Sequence, residues 1–186
     1  MPAGNPLNGR ICPHPTLSSS TLKDTIKKWL ENEDYAVSER DESVSDFHLV
    51  ISNLHGKGTF ADIVKLKNKD FIILGSALQN PPEFMQMLST IAEKERLDFF
   101  NDLQRELLKF RVDHEFHPNK LLPERMIIRD TVYEEGIKRG EFMEHLKRVK
   151  FASLFLLWSI GHKFSVDSTH SSTPHSSTSS YRTPYG

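Results

Sequence analysis

The most metal-like cluster in the sequence is His114-Glu115-Phe116-His117. Zinc proteases carry two histidines one helical turn apart with a glutamate between them, so that both imidazoles reach one ion. Here the spacing is one residue short and the segment has the pattern of a strand, which places His114 and His117 on opposite faces. Glu115 and His117 share a face, so at most two ligands meet. Exposed strand residues are the favoured interpretation, and a metal-binding protein or enzyme using the region His114 to His117 is kept as an alternative.

A glycine-rich segment, Gly56-Lys57-Gly58-Thr59, has the composition of a phosphate-binding loop. The complete motif needs an earlier glycine at the position that Ile51 occupies, inside a predicted strand. The segment therefore fails as a phosphate loop, and we expect a tight turn.

Three carboxylates, Asp130, Glu134 and Glu135, lie close together in the sequence near a predicted turn. Such a group can bind a cation or act as acid and base. Lys138 and Arg139 follow within a few residues. We therefore favour a solvated surface on which these charges neutralise one another.

No other set of residues has the pattern of a catalytic centre. A Ser/His/Asp or Cys/His arrangement cannot be argued, because the single cysteine, Cys12, lies in a proline-rich N-terminal stretch. We expect no catalytic residue, no cofactor-binding residue, no metal ligand and no cofactor. The sequence therefore favours a protein that is not an enzyme.

The composition indicates one globular domain between two polar ends. The large apolar residues lie in the middle of the 186 residues, so we expect a disordered N-terminal extension at 1–20, a single α+β domain at 21–164 and a disordered Ser/Thr-rich tail at 165–186. A net charge of −1 gives no sign of the basic face expected of a nucleic-acid-binding protein, so binding of nucleic acid is not favoured. One cysteine, no recognisable signal peptide and apolar runs too short to span a bilayer favour a cytoplasmic protein.

Apolar periodicity predicts three helices and five or six strands, with three or four strands before the middle helix. The first helix is expected to start at Thr21, in a capping box with Asp24. A long middle helix is expected to start at Asn80, whose side chain would cap it, and to bend or be exposed at the charged residues Glu93 to Arg96. The expected strands are Tyr35 to Arg40, Phe47 to Asn53, Phe60 to Lys67, Phe71 to Ser76, Val112 to His117 and Arg125 to Tyr133.

The order of these elements, α-β-β-β(-β)-α-β-β-α, indicates an α+β fold with a mainly antiparallel sheet packed on helices. The first four strands should form a meander. We expect the third strand to place Phe60, Val64 and Leu66 on one face. The apolar run that starts at Phe71 is expected to be a central strand covered on both faces.

The last helix is apolar on two sides. Its first face can pack on the sheet and holds Phe142, Leu146, Val149, Leu156, Leu157, Ile160 and Phe164. Its second face, which still needs cover, holds Phe151, Leu154, Phe155 and Trp158. The cover comes from the rest of the monomer, from a second copy or client segment, or from a membrane surface. We take these four residues as the candidate protein interface.

Several segments of the sequence carry a family resemblance. VYEEGIKRGEFMEHL from Val132 and the apolar VKFASLFLLW after it, with WLENEDYAV at Trp29 and DFHLVISN at Asp46, resemble the signature of an archaeal family of unknown function, DUF2299. The resemblance covers Thr21 to Phe164 and neither tail. That family is similar in fold to type III secretion chaperones and bacterial YbjN-like proteins, which implies non-catalytic dimers that hold an extended or unfolded partner segment. No functional residue is carried over, because fold does not fix function.

These observations predict an uncharacterised, non-enzymatic protein-binding or chaperone-like domain. We expect it to be a homodimer and to bind a protein or peptide client. We expect neither nucleic acid nor a membrane as a partner. The alternatives are the metal-binding protein or enzyme described above and a peripheral membrane protein.

Overall fold

The structure, a computed structural model, describes residues 18–53 and 59–165. It has the α+β fold that the sequence predicts. Its elements are α1 (Ser19–Glu31), β1 (Tyr35–Glu39), β2 (Ser45–Asn53), β3 (Thr59–Leu66), β4 (Phe71–Gln79), α2 (Pro82–Thr90), α3 (Glu93–Leu107), a 3-10 turn (Leu108–Phe110), β5 (Asp113–His117), β6 (Arg125–Tyr133) and α4 (Arg139–Ser165).

The strands form a six-stranded antiparallel sheet in the order β1-β2-β3-β4-β6-β5. The first four strands make the predicted meander, since each pairs with the next along the chain. β6 then adds beside β4, with Leu74 opposite Asp130, and β5 pairs with β6 at the far edge. The sheet therefore has β1 and β5 as its two edges.

The helices cover one face of this sheet, which we call the inner face. α1 lies on β1 and β2, α4 lies on β6, β4 and β3, and Phe100 of α3 packs edgewise on Phe116 of β5 at 5.7 Å between ring centroids. The inner face is built by alternate apolar residues, as period-two strands require. Its fully buried members include Leu49, Ile51, Ile63, Ile72, Leu74 and Ile128.

The other face, which we call the outer face, carries no helix among the described residues. Ile73 alternates with the buried Ile72 and Leu74 and is only half-buried. The expectation that β4 is covered on both faces is therefore wrong within the described residues. Ile73 is flanked by Val64 of β3 and Thr131 of β6, and these neighbours account for its partial burial without a helix above it.

β3 presents a different face from the predicted one. Val64 and Leu66 are only half-buried, whereas Ala61, Ile63 and Lys65 are buried on the inner face. Phe60 is buried too, because the pairing of β2 with β3 shifts between Ile51 and Ser52. This bulge and the buried lysine hide the true alternation of the strand.

The predicted middle helix is two helices. α2 ends at Thr90 and α3 begins at Glu93, so the break precedes the charged residues expected to mark a bend. Asn80 does not cap α2, since its side-chain amide donates to the carbonyl of Pro123 at 2.5 Å. Pro81 is the N-cap residue and has no side-chain cap.

α1 starts two residues before the predicted position. Ser18 is its N-cap, and the Ser18 hydroxyl accepts a hydrogen bond from the Thr21 backbone N–H at 3.3 Å. Thr21 is therefore already inside the helix and forms no capping box with Asp24. The serine run before Thr21 offered several equivalent caps.

Candidate functional site

α4 lies across the inner face and is the longest helix described. Its N-terminal end follows a turn at Gly136, whose φ of 69° favours glycine. Phe142, Leu146, Val149 and Leu156 fall at helical spacing and are fully buried against the sheet. Among the described residues, no helix combines the length and apolar character needed to cross a bilayer.

The opposite side of α4 exposes large apolar side chains. Phe151 is 55% exposed, Leu154 45% and Trp158 65%. We call these three residues the apolar patch. Phe155, the fourth candidate interface residue, is half-buried and packs on Phe110 at 5.5 Å between ring centroids. The structure therefore brings together three of the four candidate residues on one surface and uses the fourth to join α4 to the 3-10 turn.

Polar contacts border the apolar patch at both ends. Toward the C-terminus, the His162 ring stacks on Trp158 at 5.2 Å, and Lys163 pairs with Glu95 at 3.0 Å. Toward the N-terminus, Arg148 lies 4.0 Å from the Glu144 carboxylate. A surface with an apolar centre and a polar rim is typical of protein interfaces.

Among the residues that the structure describes, the His114 to His117 region does not gather three potential metal ligands. Glu115 and His117 share the outer face, as the alternation predicts, and His117 Nε2 lies 2.9 Å from the Glu115 carboxylate. Arg129 of β6 also binds Glu115. The hydrogen bond from His117 and then the charge of Arg129 lower the pKa of Glu115. His114 points to the inner face, where its Nδ1 is buried without a hydrogen-bond partner.

The three carboxylates near the turn do not act together. Asp130 accepts from His145 of α4 at 2.7 Å, and Glu134 pairs with Lys65 of β3 at 3.1 Å. Both carboxylates are mostly buried, whereas Glu135 is exposed. The predicted solvated surface is therefore wrong for Asp130 and Glu134.

The charges expected to neutralise these carboxylates are also different ones. Arg139 pairs with Glu33 at 2.8 Å, and the partners of Asp130 and Glu134 come from α4 and β3 instead. Sequence proximity misled the prediction because elements that are distant in the sequence, α4 for Asp130 and β3 for Glu134, supply the partners.

His48 is a buried polar residue that the sequence reasoning missed. It is 6% exposed on the outer face of β2. Its Nε2 lies 2.7 Å from Asp62 of β3, and its Nδ1 lies 2.9 Å from Glu42 in the turn before β2. The two carboxylates flank opposite sides of the ring, so they cannot share one metal ion with it. The available signal was the position of His48 between the apolar residues Phe47 and Leu49.

Other sequence features lie outside the part of the chain that the structure describes. They are Cys12, the glycines of the Gly56 to Thr59 segment and most of the two terminal extensions. Within residues 18–53 and 59–165, no group of three or more His, Cys, Asp or Glu side chains is arranged to hold a metal ion. Two clefts found there are open to solvent: one lies between Met85 and Leu122, and the other lies between Phe99 and Lys163.

The sequence profile of a family described as uncharacterized conserved protein (DUF2299) matches residues 22–160. The chain belongs to the DUF2299 family. The match spans nearly all of the described fold, from α1 to the last turns of α4. No curated protein matches this DUF2299 protein at a significant level.

The solved structures that are similar to this DUF2299 protein include the following two. An uncharacterized protein from Methanothermobacter thermautotrophicus has a TM-score of 0.68 and 23% identity, over 76% of this chain and 98% of that one. YbjN from E. coli has a TM-score of 0.43 and 14% identity, over 76% of this chain and 93% of that one. At these identities the first likeness shows the fold alone.

Proposed function

We propose that this DUF2299 protein is a non-enzymatic, chaperone-like protein-binding domain that forms a homodimer through α4. The single observation that carries the proposal is the apolar patch of Phe151, Leu154 and Trp158, three large side chains left exposed opposite the buried side of the same helix. Contiguous exposed apolar surface on a folded domain marks interaction sites. The second partner class is a protein or peptide client that uses the same surface.

The size of the apolar patch supports association that depends on concentration. Its three side chains expose roughly 300 Å² per copy, judged from the area of aromatic side chains. Two copies of that surface amount to about 600 Å², below the roughly 1,200 Å² of standard stable interfaces, which favours a weak association that dissociates on dilution.

The histidine and carboxylate clusters support binding rather than catalysis. His117 and Glu115 bind each other, and Asp130 binds His145. Each pair links neighbouring structural elements or strand positions, and neither pair borders the two clefts described above. We also propose a cytoplasmic location, which is supported by the single cysteine in 186 residues.

Light scattering of the full chain over a dilution series tests the proposal. We expect a dimer at high concentration that dissociates on dilution. Trp158→Lys should shift the midpoint of dissociation at least tenfold toward higher concentration. Tyr133→Lys is the matched control, because Tyr133 is also 65% exposed but lies on the outer face. A monomer at every concentration would overturn the proposal.

Phe155 provides a second control. Phe155 packs on Phe110 within the monomer. Phe155→Ala should therefore lower the free energy of unfolding more than it changes the mass that light scattering measures. Circular dichroism of each variant separates the two effects. If the Trp158→Lys variant keeps its helical signal but no longer forms the dimer, the proposal is supported. If the variant keeps both the helical signal and the dimer, the result argues against the proposal.

A further inference from the structure

The apolar patch is the middle of a longer exposed stripe along α4. The members of this stripe are separated by alternating steps of three and four residues, and all of them are exposed; we call it the outer stripe. It consists of Glu144, Lys147, Phe151, Leu154, Trp158 and Gly161. Alternating steps of three and four are the spacing of the seam along which two helices pack side by side.

We propose that the outer stripe packs antiparallel against the outer stripe of a second copy, with Phe151 facing Leu154 of that copy. This inference rests on the proposed function, since it specifies how the homodimer forms. The twofold axis then passes between the levels of Ala152 and Ser153 on α4. Such an interface is self-complementary, as a closed symmetric dimer requires.

The charges of the outer stripe select the antiparallel orientation. In a parallel pair, Glu144 would face Glu144 and Lys147 would face Lys147 of the second copy. Like charges at facing positions oppose pairing. In the antiparallel arrangement, the two Glu144 side chains are far apart, and so are the two Lys147 side chains, because most of the length of the outer stripe lies between them.

The same charges select the register. When Phe151 faces Leu154, Lys147 of each copy faces Trp158 of the other. A lysine ammonium over an indole ring is attractive, and the lysine stem covers apolar surface. Glu144 then faces Gly161, beside His162 of the second copy. Every member of the outer stripe thus meets a chemically suited partner.

Gly161 gives the space that this register needs. A Cβ built on Gly161 would have no heavy atom within 4 Å, and its φ is not positive. Neither a turn nor close packing inside the monomer explains a glycine in a helix interior, where it costs about 1 kcal/mol relative to alanine. In the inferred dimer, the missing side chain accommodates Glu144 of the second copy.

Paired cysteines test the register in the full chain with Cys12→Ser. In the inferred dimer, the double variant Glu144→Cys with Gly161→Cys brings two thiols together twice, once on each side of the twofold axis. The two positions are about 25 Å apart within one helix, at 1.5 Å per residue, so they cannot join within a copy. Both lie outside the apolar patch, so that surface is unchanged.

We expect mild oxidation to convert the double variant into a covalent dimer on a denaturing gel, and neither single variant to do so. The matched control is Glu141→Cys with Gly161→Cys, since Glu141 is an exposed glutamate one turn earlier and off the outer stripe. That control should remain a monomer on the gel.

The other outcomes overturn the inference in distinguishable ways. A covalent dimer from Glu144→Cys alone would mean parallel helices. No covalent dimer from the double variant, while light scattering still shows a dimer, would mean a register shifted by a heptad or another interface. Trp158→Lys separates these two cases, because the proposed function stands only if that variant still weakens the dimer. If light scattering shows only a monomer, both the proposed function and this inference are overturned.

Discussion

Lys65 is a buried charge at the inner face of the sheet. Its side chain is 4% exposed, and its ammonium lies 3.1 Å from Glu134 after β6 and 3.6 Å from Asp46 in β2. It also donates to the carbonyl of Lys69. A buried ammonium is tolerated only when anions and acceptors surround it. These contacts tie three separate segments of the chain to one side chain.

Removing this ammonium should be costly. Lys65→Ala leaves the mostly buried Glu134 without its cation, and we expect the free energy of unfolding to fall by about 3 kcal/mol. Urea denaturation measures it. Lys67→Ala is the control, because exposed Lys67 bonds only the Ser43 carbonyl and should cost under about 0.5 kcal/mol. Equal losses in the two variants would contradict this role of Lys65.

Glu39 should make a small contribution to stability that depends on pH. Hydrogen bonds from Lys23 and then Lys27 lower its pKa below the ordinary value of 4.5. Its contribution is therefore complete above pH 4.5 and is lost as pH falls through the lowered pKa. The pair is largely exposed, so the effect is a few tenths of a kcal/mol, on the order of other surface pairs.

The measurement compares the urea midpoints of the wild-type chain and Glu39→Gln at pH 6 and pH 3. The variant should be less stable at pH 6, and the difference should shrink at pH 3. If the difference in stability between the wild-type chain and the variant grows as the pH falls, the predicted direction of the pH dependence is wrong.

At the scale of elements, long periodic segments were predictable and their ends were not. β6 occupies the predicted residues, and α4 follows the predicted apolar spacing. The break between α2 and α3 was missed by a few residues, because no proline or glycine marks Ile91 and Ala92. The face of β3 was missed because a buried ion pair, which joins Lys65 to a distant segment, has no local signal.

Two glycines near the start of α4 should respond oppositely to alanine. Gly140 lies inside the helix with no atom near its missing Cβ, so Gly140→Ala should stabilise the fold by roughly 0.5–1 kcal/mol. Gly136 has a φ of 69°, so Gly136→Ala should destabilise it by about 1 kcal/mol or more. Thermal unfolding of the two variants measures the sign of each change in stability. Two shifts of the same sign would contradict these backbone assignments.

For the whole molecule, the sequence predicted the layered architecture and the surplus apolar face of α4. It could not predict which residues of that face stay exposed. Phe155 and Trp158 are equivalent in a periodic pattern, yet only Phe155 meets Phe110. That contact depends on where the 3-10 turn lies in three dimensions. The sequence could therefore predict which face of the helix forms the candidate interface, but not which residues of that face remain exposed.

The proposed dimer predicts how heat stability depends on concentration. Because association stabilises the folded state by mass action, the unfolding temperature of the full chain should rise with protein concentration. Trp158→Lys should remove this dependence, and Tyr133→Lys should keep it. Differential scanning calorimetry over a hundredfold concentration range measures it. An unfolding temperature independent of concentration in the wild-type chain would contradict the prediction.

The position of α4 in the chain has a consequence for biosynthesis. The meander of β1 to β4 is made early, but the helix that covers β3, β4 and β6 is the last described element to leave the ribosome. Until Val149 and Leu156 emerge, the inner face of the nascent sheet lacks the side chains that shield it. Partly covered sheets of this kind aggregate readily. We therefore expect the growing chain to be most prone to aggregation in the interval before α4 has emerged from the ribosome.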